Sequence, residues 1–315
     1  FKMIIGIEGS FRLEMGWQFP THKDFKLVSF DEAKRLDMNN VDAFIQTNVL
    51  GLIKNKMTDQ HNFIESTGKP RIVIEQAVFR KNTDFDKPET YYYKVGLDHF
   101  TYNQGRFFNH NSPSDRWERI QKEQDIQVKP WKNNDYDNSQ YILLLLQNPI
   151  DTSLNPLIER GEKYDEWIIK TIRQIKNITG KKIRVRLHPR FLERFDTKIL
   201  CLEENVEISE NYNGWNKSNG GQSLYDDFSK AWACVTFSSN AATEAVCEGI
   251  PVINLDSSSF SWPVSYHTLD VLNNVSLNCD FDRTQWLNDC AYTQWTLKEI
   301  NEGIVHKRLL DGDRT

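Results

Sequence analysis

Apolar and polar positions along this chain change in blocks. Apolar-rich runs recur at residues 3–7, 41–46, 71–75, 141–146, 182–187, 232–237 and 252–255. Strands buried on both faces of a parallel sheet read as such continuous runs, and helices supply the crossovers between them. The helical period is clearest over Tyr164–Ile178, where Trp167, Ile168, Ile172 and Ile175 share a face and Gly180 follows. Further strands are expected at 25–30 and 206–208, and helices at 31–37, 49–65 and 286–301. Gly68-Lys69-Pro70 ends the helix before the strand at 71–75. The rhythm predicts an α/β protein with parallel sheets.

The stretch WACVTFSSNAATEAVCEGIPVINL, residues 232–255, holds one complete βαβ unit: strand, polar turn, helix over 241–248, strand. Gly249 occupies the place of a left-handed helix terminus, and Pro251 blocks further helix. Ser238, Ser239 and Asn240 therefore stand between a strand's carboxyl end and a helix's amino end, with Glu244 one turn on. Such residues either cap the helix or hold an anion, since helix amino ends present free N–H groups. Both readings stay open on this stretch alone.

Residues 81–138 break the rhythm. They are rich in Asn, Asp, Tyr and Trp, and at 12% aromatic residues overall the chain has enough apolar surface to order them. An ordered, loop-rich insert is expected there, with a short helix over 114–123 capped by Ser114 and a linker at 129–139. The expected division is an amino-terminal domain over 1–138, a second domain over 139–290, and a helix and frayed tail over 291–315. At 315 residues, two domains suit the length.

Composition excludes several classes. No apolar run reaches membrane-spanning length, and the opening residues lack a signal-peptide pattern. Five cysteines without metal spacing suit a reducing cytoplasm. A net charge of −5 argues against a global nucleic-acid footprint, though local basic patches occur at 181–190 and around Lys122, Lys129 and Lys132. There is no Walker loop, GxGxxG, HExxH or GxSxG.

Three strand exits of the second domain are expected on one rim: Gln147-Asn148, His188-Pro189-Arg190 and Ser238-Ser239-Asn240. Together they suit a nucleotide phosphate. Arg184, Arg186 and His188 alternate and so share a strand face. The two arginines call for an anionic partner, either a ligand or a protein carboxylate. In the first domain, Glu8 and Glu75 at strand exits, and Asp98 in GLDHF, are candidate bases for deprotonating an acceptor hydroxyl.

Four segments resemble the bacterial capsular-polysaccharide Kdo transferases, in the order found in that family: IVIEQAVFR, YILLLLQNPIDTSL, RVRLHPR and FSSNAATEAVCEGIPVI. The resemblance covers residues from about 70 to 265. It implies the GT-B fold, two Rossmann-like domains with an interdomain cleft, and a nucleotide-sugar donor, UDP- or CMP-linked, held by the carboxyl-terminal domain. It implies no cofactor and no essential metal. Carried over, His188, Ser238, Ser239 and Glu244 hold donor phosphate and ribose, and Glu75 is the base; Gln147, Arg186, Arg190 and Asn240 are donor-binding candidates from the strand-exit reading. Two features depart from the family. The acidic pair is Glu75-Gln76, and INLDSSSFSWPVSYHTLD replaces a glycine-rich continuation. The insert also resembles those of phage-encoded glycosyltransferase-like proteins, some of which decorate hydroxymethylated pyrimidines in DNA. The expected activity is thus inverting transfer of a sugar to a hydroxymethylated pyrimidine in phage DNA, or else to a capsular or surface polysaccharide. A non-catalytic nucleotide or glycan binder and a GT-B epimerase are the alternatives.

Overall fold

The computed structural model describes residues 3–11, 18–47, 49, 58–79, 91–188, 200, 203–209 and 220–314. In chain order its strands are β1 (Met3–Ile7), β2 (Phe25–Val28), β3 (Val41–Thr47), β4 (Arg71–Gln76), β5 (Tyr92–Leu97), β6 (Tyr141–Leu145), β7 (Ile183–Arg186), β8 (Val206–Ile208), β9 (Ala231–Thr236), β10 (Val252–Asn254) and β11 (Gln294–Thr296). Its helices are α1 (Phe30–Ala33), α2 (Thr58–Ser66), α3 (Asp115–Glu123), α4 (Asn155–Glu159), α5 (Tyr164–Ile178), α6 (Gly220–Ser229), α7 (Ala241–Cys247), α8 (Thr284–Ala291), α9 (Leu297–Asn301) and α10 (Ile304–Arg314). Among the described residues, no helix is long and apolar enough to cross a membrane. The chain forms two compact units: Phe1–Gln124 with Leu287–Thr315, and Asp125–Trp286.

The first unit holds a six-stranded sheet in the order β11-β5-β4-β3-β1-β2. Strands β2, β1, β3 and β4 are parallel, whereas β5 and β11 are added antiparallel. Successive residues bury on opposite faces. Ile4, Ala43, Ile45, Ile72 and Ile74 lie in one core cluster, and Ile5, Ile7 and Phe44 lie in another with Ile64 of α2. This two-sided burial is why the strands read as unbroken apolar runs. Strand β5 corrects the loop-rich reading of residues 81–138. All six of its residues are buried, but Lys94 and Gly96 interrupt the apolar signal. The ammonium of Lys94 lies 5.3 Å from the Phe100 ring centroid, a cation–π arrangement.

The carboxyl-terminal segment also differs from expectation. The helix expected over 286–301 is broken by β11, and the tail expected to fray is α10, with Leu309 and Leu310 buried. An ion pair holds this return in place. Arg116 of α3 donates to both carboxylate oxygens of Glu299 (2.7 and 3.3 Å) and to the Gln294 carbonyl (2.7 Å), and stacks 3.8 Å from the Trp295 ring centroid. Arg119 donates to the same carboxylate at 2.9 Å. Glu299 also completes a capping box with Thr296 at the start of α9. Ser114, by contrast, does not cap α3. Its hydroxyl donates to Glu118 instead.

The second unit holds a five-stranded, wholly parallel sheet in the order β10-β9-β6-β7-β8. Helix α5 lays Trp167, Ile168, Ile172 and Ile175 against Leu144, Val185, Val235 and Phe237. Residues 129–133, expected as linker, are packed on this unit. The Lys129 N–H donates to the Cys247 carbonyl, Lys132 N–H to the Gly249 carbonyl, and the Trp131 indole to the Phe281 carbonyl. Gly249 has φ +75°, and a Cβ there would lie 2.0 Å from the Pro130 carbonyl oxygen.

Two predictions follow from these contacts. Gly249→Ala combines left-handed strain with a backbone clash and should cost about 3 kcal/mol, read as a lowered urea midpoint. Burial alone would raise the Glu299 carboxyl, but the Arg116 and Arg119 hydrogen bonds hold it down at about 2, against an ordinary 4.5. A depressed carboxyl stabilises the fold above its unfolded value and loses that contribution as pH falls toward its folded one. Glu299→Gln should therefore cost about 3 kcal/mol at neutral pH and flatten the loss of stability between about pH 4.5 and 2. Unfolding titrations across that range check both effects.

Candidate functional site

Strand register sets the site. In the second sheet Leu145 pairs with Arg186 on β7 and with Thr236 on β9. Two residues beyond these pairs, His188, Gln147 and Ser238 follow the carboxyl ends of β7, β6 and β9. The chain runs β6, β7, β8 to one side of β6 and then returns to place β9 and β10 on the other. The change of direction lies between β6 and β9, and ligands of open α/β sheets bind outside the strand carboxyl ends at that place.

Gln147 and Ser238 face each other there. The Ser238 N–H donates to Gln147 Oε1 at 2.8 Å, while Gln147 Nε2 donates to the Ser238 and Ser153 hydroxyls at 3.2 and 2.7 Å. The Gln147 N–H donates to the buried Tyr164 hydroxyl at 2.7 Å, and the Thr236 hydroxyl donates to the Leu145 carbonyl at 2.8 Å. These bonds lock the rim before any ligand arrives. His188 is partly buried at the β7 exit.

Capping of α7 takes a form the sequence does not show. Asn240 holds the N-cap position with helical φ and ψ and makes no side-chain cap, while Ser239 Oγ accepts the Ala241 N–H at 3.4 Å. The N–H groups of Ser238 and Ser239 are engaged by Gln147 and by the Thr236 hydroxyl. Anion binding here would thus draw on the His188, Ser239 and Asn240 side chains. Glu244 accepts from the Tyr225 hydroxyl at 3.0 Å, and burial first, then that carboxylate, raises the Tyr225 phenol well above its ordinary value.

Arg186 has a protein partner. Asp227 of α6, with no exposed surface, accepts from Arg186 at 2.5 Å and from the Ser209 hydroxyl at 2.8 and 2.7 Å. Arg184 lies 3.6 Å from the other Asp227 oxygen and pairs with Glu207 and the Tyr141 hydroxyl. Of the two partners the arginines called for, the structure supplies the protein carboxylate. Helix α6 and Asp227 were not read from the sequence, although two arginines on one strand face are the signal for such a buried acid. Arg190 lies outside the described residues.

The INLDSSSFSW segment folds as a buried serine turn. Asn254 donates to the Ser261 and Ser265 hydroxyls at 2.9 and 2.8 Å, and Arg160 pairs with Asp256 at 3.2 Å.

In the first unit the parallel order changes direction between β1 and β3, and Glu8 stands at that carboxyl edge, exposed, its N–H donating to the Val28 carbonyl. Glu75 is on the same edge at the end of β4, opposite Lys94, with its Oε1 accepting the Gln76 N–H at 2.8 Å. Glu8 and Glu75 are two strands apart, about 10 Å by sheet spacing. Asp98 is not with them. Strand β5 is antiparallel, so its exit lies beside Arg71 at the amino end of β4, where Asp98 accepts the Arg71 N–H and pairs with Arg106. Gln46 of β3, buried near the carboxyl edge, has neither carboxamide atom hydrogen-bonded among the described residues, and no sequence signal marked it.

Two chains of KpsC from Thermosulfurimonas dismutans match this architecture over almost their whole length. The beta Kdo 2,7 transferase has a TM-score of 0.54 at 15% identity, covering 98% of this chain and 100% of that one. The beta Kdo 2,4 transferase has a TM-score of 0.50 at 13% identity, covering 97% and 98%. The fold is GT-B. A UDP-GlcNAc 2-epimerase from Methanocaldococcus jannaschii, in complex with UDP-GlcNAc and UDP, matches at a TM-score of 0.33 and 12% identity, covering 91% and 98%, and carries no weight here. No family model and no curated protein matches the sequence.

The Arg186–Asp227 assignment makes a separable prediction. Asp227→Ala leaves two arginines without their buried acid and should cost about 4 kcal/mol in urea unfolding. A cost below about 1 kcal/mol would mean that solvent, not Asp227, balances the arginines.

Proposed function

We propose that this protein transfers a sugar from a nucleotide-activated donor to an acceptor hydroxyl, inverting the anomeric centre in a single displacement without a catalytic metal. The observation that carries this reading is that His188, Gln147 and Ser238 follow the carboxyl ends of three adjacent parallel strands, where the second sheet changes direction, on a GT-B fold. His188 with the Ser239 and Asn240 side chains holds the donor phosphate. Glu244, tied to Tyr225, accepts from the ribose hydroxyls. Gln147 keeps the Ser238 turn in register. On the acceptor side Glu75 takes the hydroxyl proton, as the resemblance to Kdo transferases implies, with Glu8 as the other carboxylate on that sheet edge. The acceptor oxygen bonds to the anomeric carbon as the bond to the donor phosphate breaks. The nucleotide leaves with that electron pair, and His188 balances the charge.

A carbohydrate acceptor is favoured over a flipped base in DNA. Tyr92, Tyr93, Phe100, Phe107 and Trp117 are buried in the first unit and are not presented for stacking. Four of the basic residues have protein partners: Lys181 donates to the Leu272 and Asn274 carbonyls, Lys182 pairs with Glu207, Lys129 with Glu248, and Lys132 donates to the Phe228 carbonyl. Two solved GT-B neighbours are named as Kdo transferases, which points the same way.

Thermal shift with CMP, UDP, GDP and UDP-sugars tests the donor side. A nucleotide at a hundred times its Kd adds about 2.7 kcal/mol of stability, and His188→Ala should abolish that shift. Glu75→Gln should retain the shift but lower acceptor-dependent nucleotide release at least about 100-fold. Glycan and hydroxymethylated-pyrimidine DNA acceptors are assayed side by side. No shift with any nucleotide would remove the donor assignment. Binding without transfer would leave a nucleotide-binding protein, and an epimerised sugar without acceptor would leave an epimerase.

A further inference from the structure

Gln46 is the last residue but one of β3 and has no exposed surface. Neither atom of its carboxamide is hydrogen-bonded among the described residues. Rotating the amide by half a turn changes nothing, because the donor and the acceptor are both unpaired. Buried polar groups are nearly always paired, and one left unpaired has lost its water without replacement.

Strand register places this group beside Glu75. Gln46 pairs with Val73 on β4, and Glu75 stands two residues further along that strand. Paired residues of parallel strands share a face. Gln46, Val73 and Glu75 therefore lie on one face, and Ile45, Ile72 and Ile74 on the other. By strand spacing and rise, the Cα atoms of Gln46 and Glu75 are about 8 Å apart. Glu8 directly follows Ile7, which lies on the Gln46 face, so the same alternation sends Glu8 to the opposite one. Of the two carboxylates on this edge, Glu75 is the one that shares a face with Gln46.

The residues flanking Gln46 on this face are apolar. Val73 packs with Val49 and Phe100, and Phe44 and Ile7 pack with Ile64 of α2. The first sheet changes direction between β1 and β3, so Gln46 also stands at the carboxyl edge where open α/β sheets take ligands. A ligand that pairs both carboxamide atoms needs a donor and an acceptor side by side. Two hydroxyls on neighbouring sugar carbons provide them: one donates to Oε1 and the other accepts from Nε2. A phosphate dianion only accepts and would leave Oε1 unpaired.

We propose, resting on the glycosyl-transfer reading above, that Gln46 binds two neighbouring hydroxyls of the acceptor sugar, next to the hydroxyl that Glu75 deprotonates. The acceptor then enters on the α2 side of the first sheet. Rotation about the Gln46 side-chain bonds turns the carboxamide to the carboxyl edge without moving β3. The group lost its water on folding, so the sugar hydroxyls restore hydrogen bonds at no further desolvation cost to the protein. An amide does not titrate in this range, so Gln46 selects and orients the acceptor and moves no proton.

Gln46→Met tests the site, because it keeps the side-chain length and removes both polar atoms. The methyl glycosides of glucose, galactose and Kdo are the probes, titrated by ligand-observed NMR with nucleotide present. The expected result is a Tm equal to or above that of the wild type, an unchanged nucleotide thermal shift, and at least about 10-fold weaker binding of the best probe. Removing one hydroxyl of the pair from that probe should weaken binding to the wild type and leave binding to Gln46→Met unchanged. A lowered Tm with unchanged probe binding would make Gln46 a structural residue and overturn the proposal. Equal probe binding by both proteins, or none by the wild type, would also overturn it while the nucleotide shift leaves the donor side standing. Absence of any nucleotide shift in the wild type would remove the glycosyl-transfer reading and this proposal with it.

Discussion

Parallel pairing of β6 with both β7 and β9 is the constraint on which the proposed donor side depends. Strand β6 has all five residues buried, so it can only be a central strand, and a central parallel strand fixes the register of its neighbours. Gln147, His188 and Ser238 follow the carboxyl ends of these three strands. The same register places Arg184 and Arg186 on a face opposed by α6, and burial of that face requires Asp227. The rim is therefore held by one neutral hydrogen-bonded link, Gln147 to Ser238, set above one buried ionic cluster. Under the proposed function, a donor arriving there meets groups already fixed in position.

The first unit solves a different problem. Its parallel strands β2, β1, β3 and β4 end at β4, and the exposed side of β4 is covered by two antiparallel strands, one of them from the far end of the chain. That return is fastened by the Arg116–Glu299 pair and by the burial of Leu309 and Leu310. The reversal of direction at β5 also sorts the carboxylates. Glu8 and Glu75 share the edge where parallel strands end, and Asp98 is sent to the other one, where it serves Arg106. A carboxylate at a strand exit is a candidate base only when the direction of its strand is known.

The sequence by itself determined the α/β class, the order of the parallel strands' apolar runs, the amphipathic helix Tyr164–Ile178, the βαβ unit around Gly249, and which strand exits carry Gln147, His188 and Ser238. These are properties of a few consecutive residues, and local periodicity and turn chemistry are enough to express them. Tertiary structure alone decided the rest. Strand β5 is hidden by Lys94 and Gly96 in its middle, and β11 is three residues long. Neither has a local signature, because each becomes a strand only when an open sheet edge is there to pair with it. The partner that takes Arg186 away from a ligand lies 41 residues further on, and the face that Gln46 shares with Glu75 is set by how β3 pairs with β4. Contacts between groups so far apart in the chain are chosen by burial and charge compensation, which no window of consecutive residues records.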